Sequence, residues 1–280
     1  MRHAVSLRIG PIGFRIGSDW RAPIDQLRSL YRDYPQPHDG VADYTVRLFA
    51  RRPWRRWIRP SVEIGGDYML PEAAPLPLRQ GLLAAEMAMN LQMALGARRY
   101  LLLHASAVER DGRAVLMTGI SGAGKSTLAS LLATRGWRFM GDEFALLDPA
   151  SGTLAPFPRP ASLKNASIAL AGEGRWGPLL EGTPKGDIRH RVPDRAAIDG
   201  MDSHAAPALI LFPRFGEAAA ARAVAPSEAF ARLTQASTNY QMLGEAGFVA
   251  LTRLVRDVPA VAIDYPDTAT AIALIEERWA

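Results

Sequence analysis

No cysteine occurs among the 280 residues. Disulfides, zinc-thiolate sites and cysteine nucleophiles are therefore excluded, and a reducing compartment is compatible. Long apolar runs are also missing, since none approaches the ~20 residues a membrane span requires. The stretch Met1–Gly10 carries no apolar core of a signal peptide, so the cytoplasm is the expected location, with no membrane partner. There is no internal repeat and no low-complexity segment. Lysine is scarce, and arginine supplies most of the positive charge behind a net +5. What is present, 48% hydrophobic and 22% charged residues, is ordinary globular composition for one large domain or two small ones.

The most informative stretch is Gly119-Ile120-Ser121-Gly122-Ala123-Gly124-Lys125-Ser126, followed by Thr127. It satisfies G-x-x-x-x-G-K-[ST] at every fixed position. The apolar run Ala114–Thr118 before it reads as a buried strand. Leu128, Leu131 and Leu132 after it recur at helical spacing. Strand, glycine loop and helix in that order are the context of a phosphate-binding P-loop. The glycines free the backbone to turn its N–H groups inward, and the helix adds its positive end. Lys125 is placed to reach the β- and γ-phosphates of ATP, and the Ser126 hydroxyl to ligate Mg²⁺.

A P-loop binds a nucleotide but does not define a reaction. Gly136–Met140 reads as a further strand, ending at Gly141-Asp142-Glu143. A strand–helix–strand connection puts this strand parallel in the same sheet, with its C-terminal end near the phosphates. Two acids there can divide the work, one holding Mg²⁺ and one accepting the proton of an attacking hydroxyl. The alternative is a surface turn with solvated carboxylates. His104 ends the strand Tyr100–His104 and is a third candidate, able to meet a phosphate or steer the acid, or to serve structure alone. His3, His38, His190 and His204 have no supporting pattern.

Before the P-loop, alternation predicts strands at Val5–Ile9, Ile12–Ile16, Tyr44–Leu48 and Val62–Ile64. Ile24, Leu27, Leu30 and Tyr31 predict a helix over Pro23–Tyr31. Arg47, Arg51, Arg52, Arg55, Arg56 and Arg59 interleave with Trp54 and Trp57 in the connection between two of those strands. Such a segment can bind nucleic acid or an acidic partner; the other reading is a solvated hairpin, or a basic face packed on the rest of the protein. A net charge of +5 is modest for a dedicated nucleic-acid binder. Pro71–Pro77 marks a boundary between an N-terminal region, 1–76, and a P-loop domain, 77–280. A helix over Leu78–Leu95 follows, with Leu82, Leu83, Met87, Leu91 and Leu95 on one side. Phe144–Leu147 reads as an antiparallel continuation of the strand before it. Ser162–Asn165 opens a short helix, and Ala171–Gly186, rich in glycine and proline, reads as a mobile loop. Later come a strand at Ala208–Phe212, a helix at Ser227–Ala236, a second over Asn239–Val255 interrupted by Gly244 and Gly247, a strand at Val261–Asp264 and a helix over Thr268–Trp279.

Taken together, Leu103–Val108, Gly119–Thr127 and Arg135–Glu143 form an ordered series that resembles the C-terminal domain of bacterial HPr serine kinase/phosphorylase. Pro158–Asn165, Leu211–Arg214 and Asn239–Phe248 resemble one branch of it, the HprK-related kinase A group. The resemblance implies an α/β fold (α+β overall), with a P-loop kinase core of the HPr kinase/phosphoenolpyruvate carboxykinase type and a smaller β-rich N-terminal region. It implies that Asp142 is the base toward the substrate hydroxyl, Glu143 a second acid at the metal, Ser126 the Mg²⁺ ligand and His104 a neighbour of the transferred phosphate. It also suggests a homo-oligomer. The family's segment associated with phosphorolysis has no counterpart after Ile168, so efficient phosphorylase activity is not expected. The N-terminal half differs from that of HPr kinases, so HPr is not the expected substrate.

The resulting expectation is an ATP- and Mg²⁺-dependent kinase acting on a hydroxyl, serine by resemblance, of a small protein or peptide. Lys164, Arg159 and Lys185 are candidates for an extra cation over the phosphates. The competing readings are an ATP-binding regulator or scaffold without phosphotransfer, a small-molecule kinase, and a nucleic-acid-stimulated ATPase.

Overall fold

Alternating side chains fold the N-terminus into a hairpin of β1 (His3–Ile9) and β2 (Ile12–Ser18) in the computed structural model, which describes residues 2–70 and 74–279. Helix α1 (Arg21–Leu30) buries Ile24, Leu27 and Leu30 and crosses over to β3 (Tyr44–Phe49), which lies parallel to β2. β4 (Ser61–Gly66) and the short β5 (Leu76–Pro77) complete a five-stranded sheet. The expected boundary segment Pro71–Pro77 falls partly on residues 71–73, outside the described residues.

Helix α2 (Gly81–Gly96) packs on β3 and β4. Its buried face is Leu82, Ala85, Met89, Gln92 and Met93, whereas Met87 is 48% exposed. The expected stripe through Leu83 and Met87 is therefore off by about one residue in rotation. Nearly all apolar positions of this helix are small or flexible, so periodicity alone does not select the face. The core beneath it joins Leu7, Phe14 and Leu82 to Phe157, Val192 and Met201.

The P-loop lies in a second, six-stranded sheet. Its strands are β7 (Ala105–Arg110), β8 (Arg113–Thr118), β9 (Arg138–Gly141), β15 (Ala206–Phe215), β16 (Ala220–Ala223) and β17 (Ala260–Tyr265), in the order β16-β17-β15-β8-β7-β9. β7 and β8 form a tight hairpin through Asp111 and Gly112, both at positive φ, as a two-residue turn of the primed type requires. Helix α3 (Lys125–Ala133) follows β8 and leads to β9. β9 runs in the same direction as β8, with antiparallel β7 between them, so both C-terminal ends reach one edge. The period-two alternation of β8 serves two layers. Val115 and Met117 meet α3 and α8 (Thr268–Trp279), while Ala114 and Leu116 meet the layer of α6 (Pro226–Ala236) and α7 (Tyr240–Asp257). In α7 the chain is non-helical at Gly244 alone; Gly247 is buried within the helix.

Three further expectations are corrected. Phe144–Leu147 does not extend β9. Residues Ala145–Leu147 form β10, between β6 (Leu101–Leu103) and β11 (Leu154–Ala155) in a separate sheet. Glu143 at φ 72 redirects the chain there. Ala161–Lys164 is strand β12, and only after Asn165 does the short α4 (Ala166–Leu170) begin. The glycine- and proline-rich stretch expected to be loop is mostly β13 (Trp176–Thr183), paired with β14 (Gly186–Arg191) and, through it, with β12. Its glycines sit at bulges and turns of a twisted hairpin, which composition reads as loop. The short α5 (Arg195–Asp199), capped by Asp194, leads back to β15. The protein is a mixed α/β molecule with several sheets. Among the described residues no helix is long and apolar enough to cross a membrane.

Candidate functional site

The loop Gly119–Gly124 joins β8 to α3 with φ of 155°, 87° and 91° at Gly119, Gly122 and Gly124. Gly124 illustrates why the pattern demands glycine. A Cβ there would stand 2.0 Å from the Tyr265 hydroxyl oxygen, which itself donates to the Ala123 carbonyl at 2.7 Å. Gly124→Ala should therefore displace β17 or the loop, lower stability by roughly 1–3 kcal/mol and abolish binding of an ATP analogue. A melt and a nucleotide titration of the variant check both effects.

Lys125 is largely buried, and its ammonium donates to the Gly119 and Ile120 carbonyls at 2.7 and 3.1 Å. Burial depresses its pKa, opposed by Asp142 and Glu143 and reinforced by nearby Lys164. Ile120 and Ser121 are exposed at the loop tip, while Ala123 and Thr127 are buried beneath it. Ser126, in the first turn of α3, donates to Asp142 Oδ1 at 2.9 Å.

Asp142 is 3% exposed. Its Oδ1 accepts from both Ser126 and Ser106, the latter at 2.6 Å. Its Oδ2 has only a long contact of 3.4 Å from the Ser162 N–H. One oxygen thus faces the P-loop and the other is available on the opposite side. Glu143 makes no hydrogen bond to Ser126 among the described residues. Its carbonyl accepts from His104 Nδ1 at 3.0 Å, and its carboxylate lies 3.6 Å from the same nitrogen. The structure brings Asp142, not Glu143, against the expected Mg²⁺ ligand Ser126, and ties His104 to Glu143.

Beyond Asp142 Oδ2 opens a cavity of about 200 Å³, walled by α2, β12 and the β13–β14 hairpin. Asp142, Glu143, Ser162, Lys164, Lys185 and His190 are among its polar lining residues. The chain has three lysines: Lys164 and Lys185 line this cavity, and Lys125, at the start of α3, lies near enough to Lys164 to feel its charge. His190 is 1% exposed, with Nε2 3.5 Å from Ser162 Oγ and Nδ1 without a partner among the described residues. Burial holds its pKa below the ordinary imidazole value. Sequence reasoning passed over His190, and nothing local distinguishes it, because its role depends on the hairpin that composition concealed. Ser106 was equally silent within an apolar strand.

Arg159 does not reach over the phosphates. It is buried in the cavity floor, paired with Glu86 and bonded to Asn90. Tyr31 donates to the other Glu86 oxygen at 2.8 Å. A larger cavity of about 410 Å³ at the C-terminal half of α3 touches none of Lys125, Ser126 or Asp142.

The residues present suit a nucleotide polyphosphate and Mg²⁺. The loop cradle is open at Gly122, and the hard oxygens of Ser126 and Asp142 are adjacent. Mg²⁺ is held by one or two protein oxygens together with substrate phosphates and water, so the site needs no larger protein cage.

The model of the family described as SynChlorMet cassette protein ScmC matches residues 82–167, which run from α2 through the P-loop and the acid pair into α4. No curated protein matches the chain. Among solved structures, the Hpr(Ser) kinase/phosphatase from Coxiella burnetii is similar over 64% of this chain and 99% of its own, at 15% identity and a TM-score of 0.30.

Proposed function

We propose that the chain is an ATP- and Mg²⁺-dependent kinase that phosphorylates a hydroxyl, serine in the first instance, on a small protein or peptide. The observation that carries this reading is the position of Asp142. One of its oxygens contacts the P-loop serine, and the other faces a cavity. A donor site and an acceptor site thus share one carboxylate.

Gly119–Thr127 would hold the triphosphate through backbone N–H groups, the α3 N-terminus and Lys125. Ser126 and Asp142 would hold Mg²⁺, whose charge screens the β- and γ-phosphates. Asp142 Oδ2 would orient the acceptor hydroxyl and accept its proton as phosphoryl transfer proceeds. Lys164, beside Lys125 and in the cavity wall, is placed to meet charge on the moving phosphoryl group. Positioning and fixed charge supply most of the rate in this chemistry. The cavity admits one side chain or a small molecule rather than a folded surface.

Incubation with γ-labelled ATP, Mg²⁺ and short serine peptides tests the reading. Label should appear on serine. ATP binding with no transfer to any hydroxyl would leave a nucleotide-binding regulator instead. The scarcity of lysine gives a second readout. An acyl-phosphate derivative of ATP should acylate Lys125 or Lys164, and free ATP should protect them; modification of Lys185 alone would count against the arrangement.

A further inference from the structure

The arginine- and tryptophan-rich connection between β3 and β4 plays no part in the site above. From Arg51 to Pro60 it contains no acidic residue. Arg51 and Arg56 find carboxylates on neighbouring elements, Glu63 and Asp19, each at 3.7 Å. Arg52, Arg55 and Arg59 form no ion pair among the described residues. Trp57 is 71% exposed, Ile58 65% and Trp54 50%. Unpaired guanidiniums beside exposed aromatics on a surface of only modest net charge form a recognition patch rather than a generic solvated face.

The segment is anchored. Trp20 Nε1 donates to the Arg56 carbonyl at 3.0 Å, and Arg56 donates back to the Asp19 carbonyl at 3.2 Å. It is also next to the cavity. Leu78 N–H donates to the Pro60 carbonyl at 3.1 Å, and Val62 pairs with Leu76, a cavity-lining residue. Gln80 then bonds the Gly182 carbonyl at 3.2 Å, in the hairpin that carries Lys185. Exposed Arg79 sits in this bridge. Arg59, Arg79 and Lys185 therefore lie on segments that contact one another in turn, the last of them at the cavity.

We propose that this connection is a docking surface for an acidic segment of the peptide or protein acceptor, flanking the hydroxyl that enters the cavity. The link to phosphotransfer rests on the kinase reading; the docking itself does not. A cavity of about 200 Å³ grips little more than one side chain, so an acceptor gains most of its affinity outside it. The complementary chemistry is Asp and Glu with intervening aromatics.

The test uses a fluorescein-labelled peptide with one serine between runs of glutamate, and a matched peptide with glutamine in place of glutamate. Anisotropy should show binding of the first, weakening with salt, and little binding of the second. The triple variant Arg52→Ala, Arg55→Ala, Arg59→Ala should bind the glutamate peptide about tenfold more weakly, with its melting temperature and ATP-analogue affinity unchanged. The single reversal Arg55→Glu gives an independent reading and should also weaken binding. Equal binding by wild type and triple variant overturns the proposal. So does a preference for phosphatidylserine vesicles or a single-stranded oligonucleotide over the acidic peptide. Peptide docking without phosphotransfer would instead sink the kinase reading and leave the docking surface standing.

Discussion

Asp142→Asn should reduce phosphotransfer by about 10²–10⁴-fold and weaken Mg²⁺ binding, while metal-free affinity for an ATP analogue and thermal stability stay within a few-fold and a few degrees of wild type. The side chains are nearly isosteric. The Asn carbonyl can keep the two donors that Asp142 Oδ1 now accepts, the hydroxyls of Ser106 and Ser126. That orientation directs the amide NH₂ toward Ser162 and the cavity, where only one weak 3.4 Å contact is lost. The cavity side would then present a donor where proton acceptance is required. Single-turnover transfer from labelled ATP, alongside an equilibrium titration with an ATP analogue, separates chemistry from binding. Glu143→Gln makes the contrast, since its carboxylate faces His104 rather than Ser126, and its loss of activity should be markedly smaller. An active Asp142→Asn enzyme would remove the base from this account.

Arg159→Met should be among the most destabilising single changes in the protein, by about 3–5 kcal/mol. It leaves the Glu86 carboxylate buried without its cation, in contact with Tyr31 and near His190. Burial alone would raise the Glu86 pKa. That is the largest single influence, but the Arg159 charge, His190 and the hydrogen bonds from Tyr31 and Arg159 together exceed it and hold the carboxyl below the ordinary range. The sign of the pH dependence follows. A depressed carboxyl contributes stability above its unfolded value of ~4.3, and that contribution fades as pH falls through the lower folded value. Wild type should therefore lose part of its stability in acid. Arg159→Met should lose less over that interval, because its Glu86 is no longer stabilised as the anion. The double change Glu86→Leu with Arg159→Met should recover most of the deficit, as apolar replacement of a buried pair commonly does. Denaturant melts at neutral and acidic pH measure each step. A single variant as stable as wild type would show that the pair is not the keystone its burial indicates.

The P-loop was legible because its spacing is dictated locally, by turn geometry and anion chemistry that act over nine residues. The β15 strand was legible for the same reason, short-range patterning. Asp142 followed from a topological rule, and the intervening β7 strand did not spoil it because β9 still points the same way. The cavity was not legible. Its walls come from α2, β12 and β14, which are distant in sequence. His190 became part of it only through a bulged, glycine-bearing hairpin whose composition mimics a loop. The fate of Arg159 was hidden likewise, since its partner Glu86 lies 73 residues earlier. Chemistry that one segment completes could be read from the sequence, and chemistry assembled between segments could not.

The long reach of the first core also bears on synthesis at the ribosome. Leu7 and Phe14 share that core with Phe157, Val192 and Met201, and Arg8 pairs with Asp202 across 194 positions. The opening sheet emerges first yet cannot finish burying its apolar face until some two hundred residues have left the exit tunnel. At about 5–20 residues per second that interval is on the order of ten seconds. Nascent chains in that window present an unfinished β-surface to chaperones. Slowing translation between the end of α2 and Met201 should lengthen that exposure, whereas slowing it after β15 should matter far less.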